Sequence, residues 1–190
     1  MARMRAPIGD FDDALPAPDC LDLLTPPVAA AVRAWTGPVP AEQILYVDTD
    51  PAIADTAVFV EHHGPSLLDR SANCVVVAGK RGEATTLAAC VVKSAHRADV
   101  NGVVRRELGA RKVSFAPMET ATGDSGMEYG GITPVGLPAA WTLLVDAAVV
   151  DTPWVLVGSG RRRGKLILPG KAFAQLPGAV VLEGLGRPVE

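Results

Sequence analysis

Apolar residues come in short blocks along this chain, and the spacing inside the blocks changes from one to the next. Residues 1–20 hold no such block; Pro, Asp and Ala recur there without a period, as in a loose leader. The first helical spacing is in "TPPVAAAVRAWTG". There Val28, Val32 and Trp35 share a face, Thr25 is placed to cap, and Pro26 suits the first turn. "QILYVDT" (43–49) has the β-rich apolar content of a strand. "DPAIADTAVFVEHHG" returns to helical spacing, with Asp50 as cap, Pro51 in the first turn, Gly64 as stop, and Ile53, Ala57 and Val60 on one face. His62 and His63 fall in its last turn, where imidazolium would complement the helix dipole. Neither has a third ligand beside it in sequence, so no metal site is expected.

The middle of the chain predicts a hairpin, "ANCVVVAG" and "TTLAACVV" joined by the glycine-containing turn "KRGE" (80–83). "DVNGVVRRELG" predicts a helix capped by Asp99 and closed by Gly109, with Val100, Val103 and Val104 inward; "KVSFA" then alternates as a strand. The loop "MEYGGITPVGLP" follows after a polar interval, and beyond it "WTLLVD", "PWVLVG" and "KLIL" are three short strands. "PGKAFAQLPG" suits a last short helix before "AVVLEGLG". Strands interleaved with helices predict an α/β fold in which a curled, barrel-like mixed β-sheet is flanked by helices. The expected organisation is an N-terminal extension with one helix (1–40) and a single domain (41–190).

Composition narrows the chemistry. Of the 190 residues 48% are hydrophobic and only 5% aromatic, so one sizeable core must be built mostly from aliphatic side chains. Cys20, Cys74 and Cys90 are odd in number and lack C-x-x-C spacing, which argues against a disulfide framework or zinc site and for a reducing compartment. The first residues lack the apolar run of a secretory signal, and no apolar run reaches the roughly 18 residues of a membrane span. A cytoplasmic protein is expected. The net charge of −3 gives no global attraction to nucleic acid. Local candidates are "GRRRGK" (160–165) and the pairs His96-Arg97, Arg105-Arg106 and Arg111-Lys112, although on sequence alone three arginines in a loop better suit a solvated turn.

Familiar catalytic signatures are absent. No G-x-S-x-G or Walker-type phosphate loop occurs, and the G-x-G of "GSGRRRG" follows a strand but opens no helix. Cys74 and Cys90 lie in apolar strands, where an inert buried thiol is expected, and His96 reads as a surface residue. What remains is the loop at 127–138. Its glycines let other atoms approach the backbone, and its prolines fix the chain's direction, so it suits either a hairpin connection or the wall of a ligand site.

In order, "SANCVVVAG", "RADVNGVVRRELGARKVSFA", "MEYGGITPVGLP", "TLLVDAAVV" and "VGSGRRRGKLIL" resemble the YbaK/EbsC family, the editing domain also inserted in bacterial prolyl-tRNA synthetases. The resemblance spans roughly residues 40–185 and rests most on Gly130-Gly131-Ile132-Thr133-Pro134, followed by a strand ending in Asp146. It implies a trans-editing aminoacyl-tRNA deacylase that hydrolyses the ester between a small, wrong amino acid and the tRNA 3′ end. Such an enzyme answers a physical limit, since a pocket discriminates one methylene by only about 1–3 kcal/mol.

On the family's pattern, Gly130, Gly131, Ile132 and Pro134 form the catalytic loop, with backbone N–H groups as oxyanion donors. Ser159 and Gly160 border the substrate; Thr133 contacts it or closes a turn, and Asp146 contacts it, holds the loop or serves as a strand-end cap, while Arg161, Arg162, Arg163 and Lys165, with Lys93 and Arg97, are candidates for tRNA phosphates. The implied partners are the aminoacylated tRNA end and an aminoacyl-tRNA synthetase; no cofactor or metal is implied. Family members usually carry a lysine where this chain has Arg70-Ser71-Ala72-Asn73. Asn73 can donate a hydrogen bond there instead. That departure leaves a second reading open, an inactive binding module of the same fold for an aminoacyl or nucleotide ligand or a partner protein. A third is a hydrolase of some other small ester.

Overall fold

Several strands of this chain are buried on both faces, and the molecule is organised around them. The structure, a computed structural model, describes residues 4–54 and 56–189. Residues 1–3 of the expected leader and Asp55 of the expected second helix lie outside the described residues. The N-terminal segment contributes β1 (Ala14–Pro16), α1 (Pro26–Arg33) and β2 (Leu45–Val47). Next come α2 (Thr56–His63) and the hairpin β3 (Ala72–Arg81) and β4 (Ala84–Lys93), then β5 (His96–Ala98). A π-helical turn (Val100–Val104) leads into α3 (Arg105–Glu107), β6 (Lys112–Phe115) and α4 (Met118–Ser125). After the glycine loop follow β7 (Thr142–Asp146), α5 (Ala147–Val150), β8 (Trp154–Gly158) and β9 (Lys165–Pro169). A 3₁₀ turn (Gly170–Gln175), β10 (Ala179–Leu182) and β11 (Gly186–Pro188) complete the chain.

The strands form an antiparallel sheet in the order β1-β2-β9-β8, a mixed sheet β10-β7-β4-β3-β6, and the pair β11-β5. β7 runs parallel to both β4 and β10. The two larger sheets meet at one corner, where Ser71 bridges Leu156 and the Leu156 N–H donates to the Arg70 carbonyl at 2.8 Å. The result is the expected curled mixed sheet flanked by helices, open rather than closed into a barrel.

β4 and β9 are two of these strands. Ala89 and Val91 of β4 join the main core with α1 and Phe173, whereas Ala88, Cys90 and Val92 face a separate cluster under the π-helical turn. On β9, Leu166 and Leu168 face the main core and Ile167 faces Leu45, Val47 and Phe59. Burial on both faces explains why these strands read as continuous apolar runs.

Several local expectations are corrected. Thr25 is the residue before α1, but its side chain makes no capping bond; Pro27 has no N–H to offer it. α2 buries Phe59 and His63, not Ala57, because the His63 ring stacks on Phe11 (centroids 4.6 Å apart) with Nδ1 3.0 Å from the Asp10 carbonyl oxygen. Asp99 caps as expected, accepting from the N–H groups of Gly102 and Val103 at 3.1 Å each, but the turn it starts is a wide π-helical one. The polar helix α4 carried no apolar period and was not expected.

Candidate active site

A cavity of about 630 Å³ opens where the start of β3, the end of β8, α2, α4 and the glycine loop converge. Asn73, exposed, and Cys74 come from β3, and Gly158 comes from β8. Gly130 and Ile132 enter from the loop, Arg162 and Lys165 from the segment after β8, and Phe115, Met118 and Tyr129 stand around the mouth.

The loop is held by the segment it packs on. The Gly131 N–H donates to the Glu128 carbonyl (3.0 Å), the Gly131 carbonyl accepts from the Gly160 N–H (2.8 Å), and the Glu128 N–H donates to the Gly160 carbonyl (2.8 Å). The Glu128 carboxylate accepts from the Arg162 N–H at 2.8 Å. A Cβ on Gly131 would overlap the Arg161 carbonyl, and one on Gly158 would overlap the carbonyls of Gly131 and Ile132. Glycine at both places is therefore what lets loop and strand touch. With Gly131 committed to its turn, the N–H groups of Tyr129, Gly130 and Ile132 have no partner among the described residues, and all three residues line the cavity.

The other sequence candidates divide clearly. Thr133 and Pro134 are buried behind the loop and do not line the cavity; the Thr133 hydroxyl has no partner among the described residues. Asp146 is 2% exposed and works as a strand-end cap, accepting from the Ala148 N–H (3.2 Å) and from the Gly186 N–H (2.7 Å), away from the cavity. Ser159 is fully buried and its hydroxyl lies 3.1 Å from the carbonyl oxygens of Arg163 and Gly164, holding that loop together, while Gly160 packs on Thr25.

The three arginines do not form one basic strip. Arg161 reaches back to the carbonyls of Asp22 (3.4 Å) and Leu24 (3.2 Å), and Arg163 grips the Asp48 carboxylate at 2.7 and 2.6 Å. Arg162 faces the cavity, with Nε donating to the Pro51 carbonyl at 3.1 Å. Lys93 and Arg97 flank the turn that carries Ser94, itself a lining residue.

Lys165 reads in sequence as part of this basic loop, yet it is buried in β9 and lines the cavity, with its amine 5.6 Å from the centroid of the Phe59 ring, another lining residue. Burial lowers its pKa below the usual lysine value, and the nearby Arg162 charge adds to the effect. Burial also pushes the Cys74 thiol upward, with Cys90 adding, so a nucleophilic thiolate is disfavoured. Sequence reading missed the rim of Phe115, Met118 and Tyr129; the one signal available was an aromatic at a strand end followed by proline. Among the described residues no group of three or more His, Cys, Asp or Glu is arranged to hold a metal, and no helix is long and apolar enough to cross a membrane.

A search of curated proteins returned no match. Among solved structures, the protein is similar to one described as "a putative trans-editing enzyme for prolyl tRNA synthetase", at 19% identity and a TM-score of 0.65, over 84% of this chain and 97% of that one. A scaffold protein from work on epitope backbone grafting aligns at 18% identity and a TM-score of 0.67, over 83% of this chain and 94% of that one. A protein described as hypothetical aligns at 22% identity and a TM-score of 0.59, over 70% of this chain and 83% of that one. These likenesses establish the fold. The sequence model of the aminoacyl-tRNA editing domain matches residues 50–176. That match takes in the cavity's strands, the glycine loop and β9, and by it the chain belongs to the aminoacyl-tRNA editing family, the YbaK family of the resemblance.

Proposed function

We propose that the protein is a stand-alone, trans-acting deacylase that clears a small amino acid wrongly esterified to the 3′ end of a tRNA. The observation that carries this reading is the glycine loop at the wall of a cavity, where the N–H groups of Tyr129, Gly130 and Ile132 have no partner among the described residues and those of Gly130 and Ile132 are read as the oxyanion donors. An aminoacyl ester is already reactive, so a site that positions water and stabilises the oxyanion is sufficient, without a nucleophilic triad. Gly131 and Pro134 keep the donors in place. Asn73 is the polar side chain of β3 that can meet the ribose or amino group, and the route draws on no cofactor. Arg162, at the cavity, and Lys93 and Arg97, beside it, are the basic residues best placed for the phosphates of the terminal nucleotides. All three arginines, Arg162 included, would first have to leave partners in the chain. Prolyl-tRNA synthetase is the partner enzyme suggested by the trans-editing structural neighbour.

Asn73, standing where the family's lysine is expected, favours one alternative: a module that binds an aminoacyl or nucleotide ligand without hydrolysing it. Deacylation of tRNAs mischarged with alanine, cysteine and serine separates the two. The unaltered protein should turn over at least one. Gly131→Ala, whose Cβ would drive the loop off Arg161, should lose about 10²–10³-fold in kcat/KM, as when an oxyanion donor is removed. A folded protein that binds these tRNAs and releases no amino acid would sink the deacylase and leave the binding module.

A further inference from the structure

Lys165 is a buried lysine with no counter-ion among the described residues. It is 7% exposed, and among the described residues its Nζ has no hydrogen-bond or ion-pair partner; it lies 5.6 Å from the centroid of the Phe59 ring. An unpaired ammonium is costly to bury, so a fold that keeps one against a cavity wall is poised for a ligand group there. The sheet register gives its direction. Lys165 pairs with Gly158 across β8 and β9, and cross-strand partners project from the same face. On that face the carbonyls of Gly131 and Ile132 press against Gly158, so the lysine leaves the sheet on the side where the glycine loop stands. Asn73 lines the same cavity from β3.

We propose that Lys165 supplies the cation that grips the scissile carbonyl oxygen, entering from β9 in place of the lysine that β3 lacks. The proposal rests on the deacylase reading. A deep amine suits a carbonyl better than a phosphodiester, because drawing a phosphate to this depth would strip water from a second charge. In the reaction, the oxygen of water adds to the carbonyl carbon and the bond to the ribose oxygen breaks. The proton released by water passes to that ribose oxygen. Lys165 keeps its own proton throughout and, with Gly130 and Ile132, stabilises the negative charge that develops on the carbonyl oxygen. Because only the ammonium donates in this way, activity should fall on the alkaline side as the lysine deprotonates, and burial brings that point below the usual lysine range. The charged groups around it are few. Arg162 is the other charged residue among the described lining residues, Asp48 beyond β2 is held by Arg163, β8 carries no charge, and the His63 ring on α2 lies between Phe11 and Phe59.

The test compares Lys165→Met, Lys165→Arg and the double variant Asn73→Lys/Lys165→Met on tRNAs mischarged with alanine, cysteine and serine. K165M should lose about 100-fold or more in kcat/KM and the alkaline limb of the pH profile. Its melting temperature should hold or rise, since an unpaired buried charge is gone. K165R should not restore activity, because a planar guanidinium does not replace a compact ammonium. The double variant should regain activity through the strand that carries the family's lysine. A K165M protein as active as the unaltered one overturns the proposal, and so does an unchanged alkaline limb. If the unaltered protein hydrolyses none of the tRNAs, the deacylase reading fails by itself. Binding of a 3′-amide-linked alanyl-adenosine then decides for Lys165: weaker binding by K165M supports the carbonyl contact, and equal binding overturns it.

Discussion

Three large apolar side chains stand in solvent around the cavity mouth, Phe115 at 67%, Met118 at 54% and Tyr129 at 61% exposure. Their clustering at one opening suits a flat, apolar ligand face, and the terminal adenine of a tRNA has one. Base–aromatic stacking contributes about 1–3 kcal/mol per base, so Tyr129→Ala or Phe115→Ala should weaken binding of a 3′-aminoacyl-adenosine analogue about 5–150-fold. Both side chains are exposed, so thermal stability should not move; equal binding by both variants would remove the rim from the site. At this scale the sequence was legible where a residue type has a single use, as in the glycine loop. It was opaque at Lys165, because a lysine after three arginines looks like one more surface charge. Only the pairing of β9 with β8 shows that the chain has turned inward there.

Between elements, Asp146 ties three together. It ends β7, caps α5 and accepts from the Gly186 N–H at the start of β11. Asp146→Ala would leave two buried or half-buried N–H groups without a partner, a loss of about 1–3 kcal/mol each at most. The expected result is a lower melting temperature with KM unchanged. A raised KM in a variant of unchanged stability would return Asp146 to the substrate. The long strands β3 and β4 could be read from composition because both are made of β-branched and small apolar residues across a glycine turn. β1, β5 and β11 could not. Each has three residues, too few for a period, and each exists because a partner strand lies beside it. α2 was legible as a helix, but its buried face was not, since stacking with Phe11 from a distant segment chose Phe59 and His63.

Over the whole molecule, the first forty residues bear on whether anything folds. Cys20, Leu24, Val28, Ala29 and Val32 belong to the same core cluster as Val155, Val157, Leu166 and Leu168. Each fully buried aliphatic side chain contributes about 1.5–3 kcal/mol, against a total stability for a domain of about 5–15 kcal/mol. Residues 41–190 alone should therefore fail to give a cooperative thermal transition, even though the family match begins at residue 50. A sharp transition and normal deacylation by that fragment would show the segment to be dispensable.

The position of β9 has a consequence in time. It lies between β2 and β8 and follows both in the chain, so the strand that joins them into one sheet is made after them. Until it arrives, β2 and β8 present unpaired edges, and the wall that carries Lys165 does not exist. A chain that stops before residue 165 would have the glycine loop but no finished cavity. On the proposed function, editing would then wait until β9 has been made.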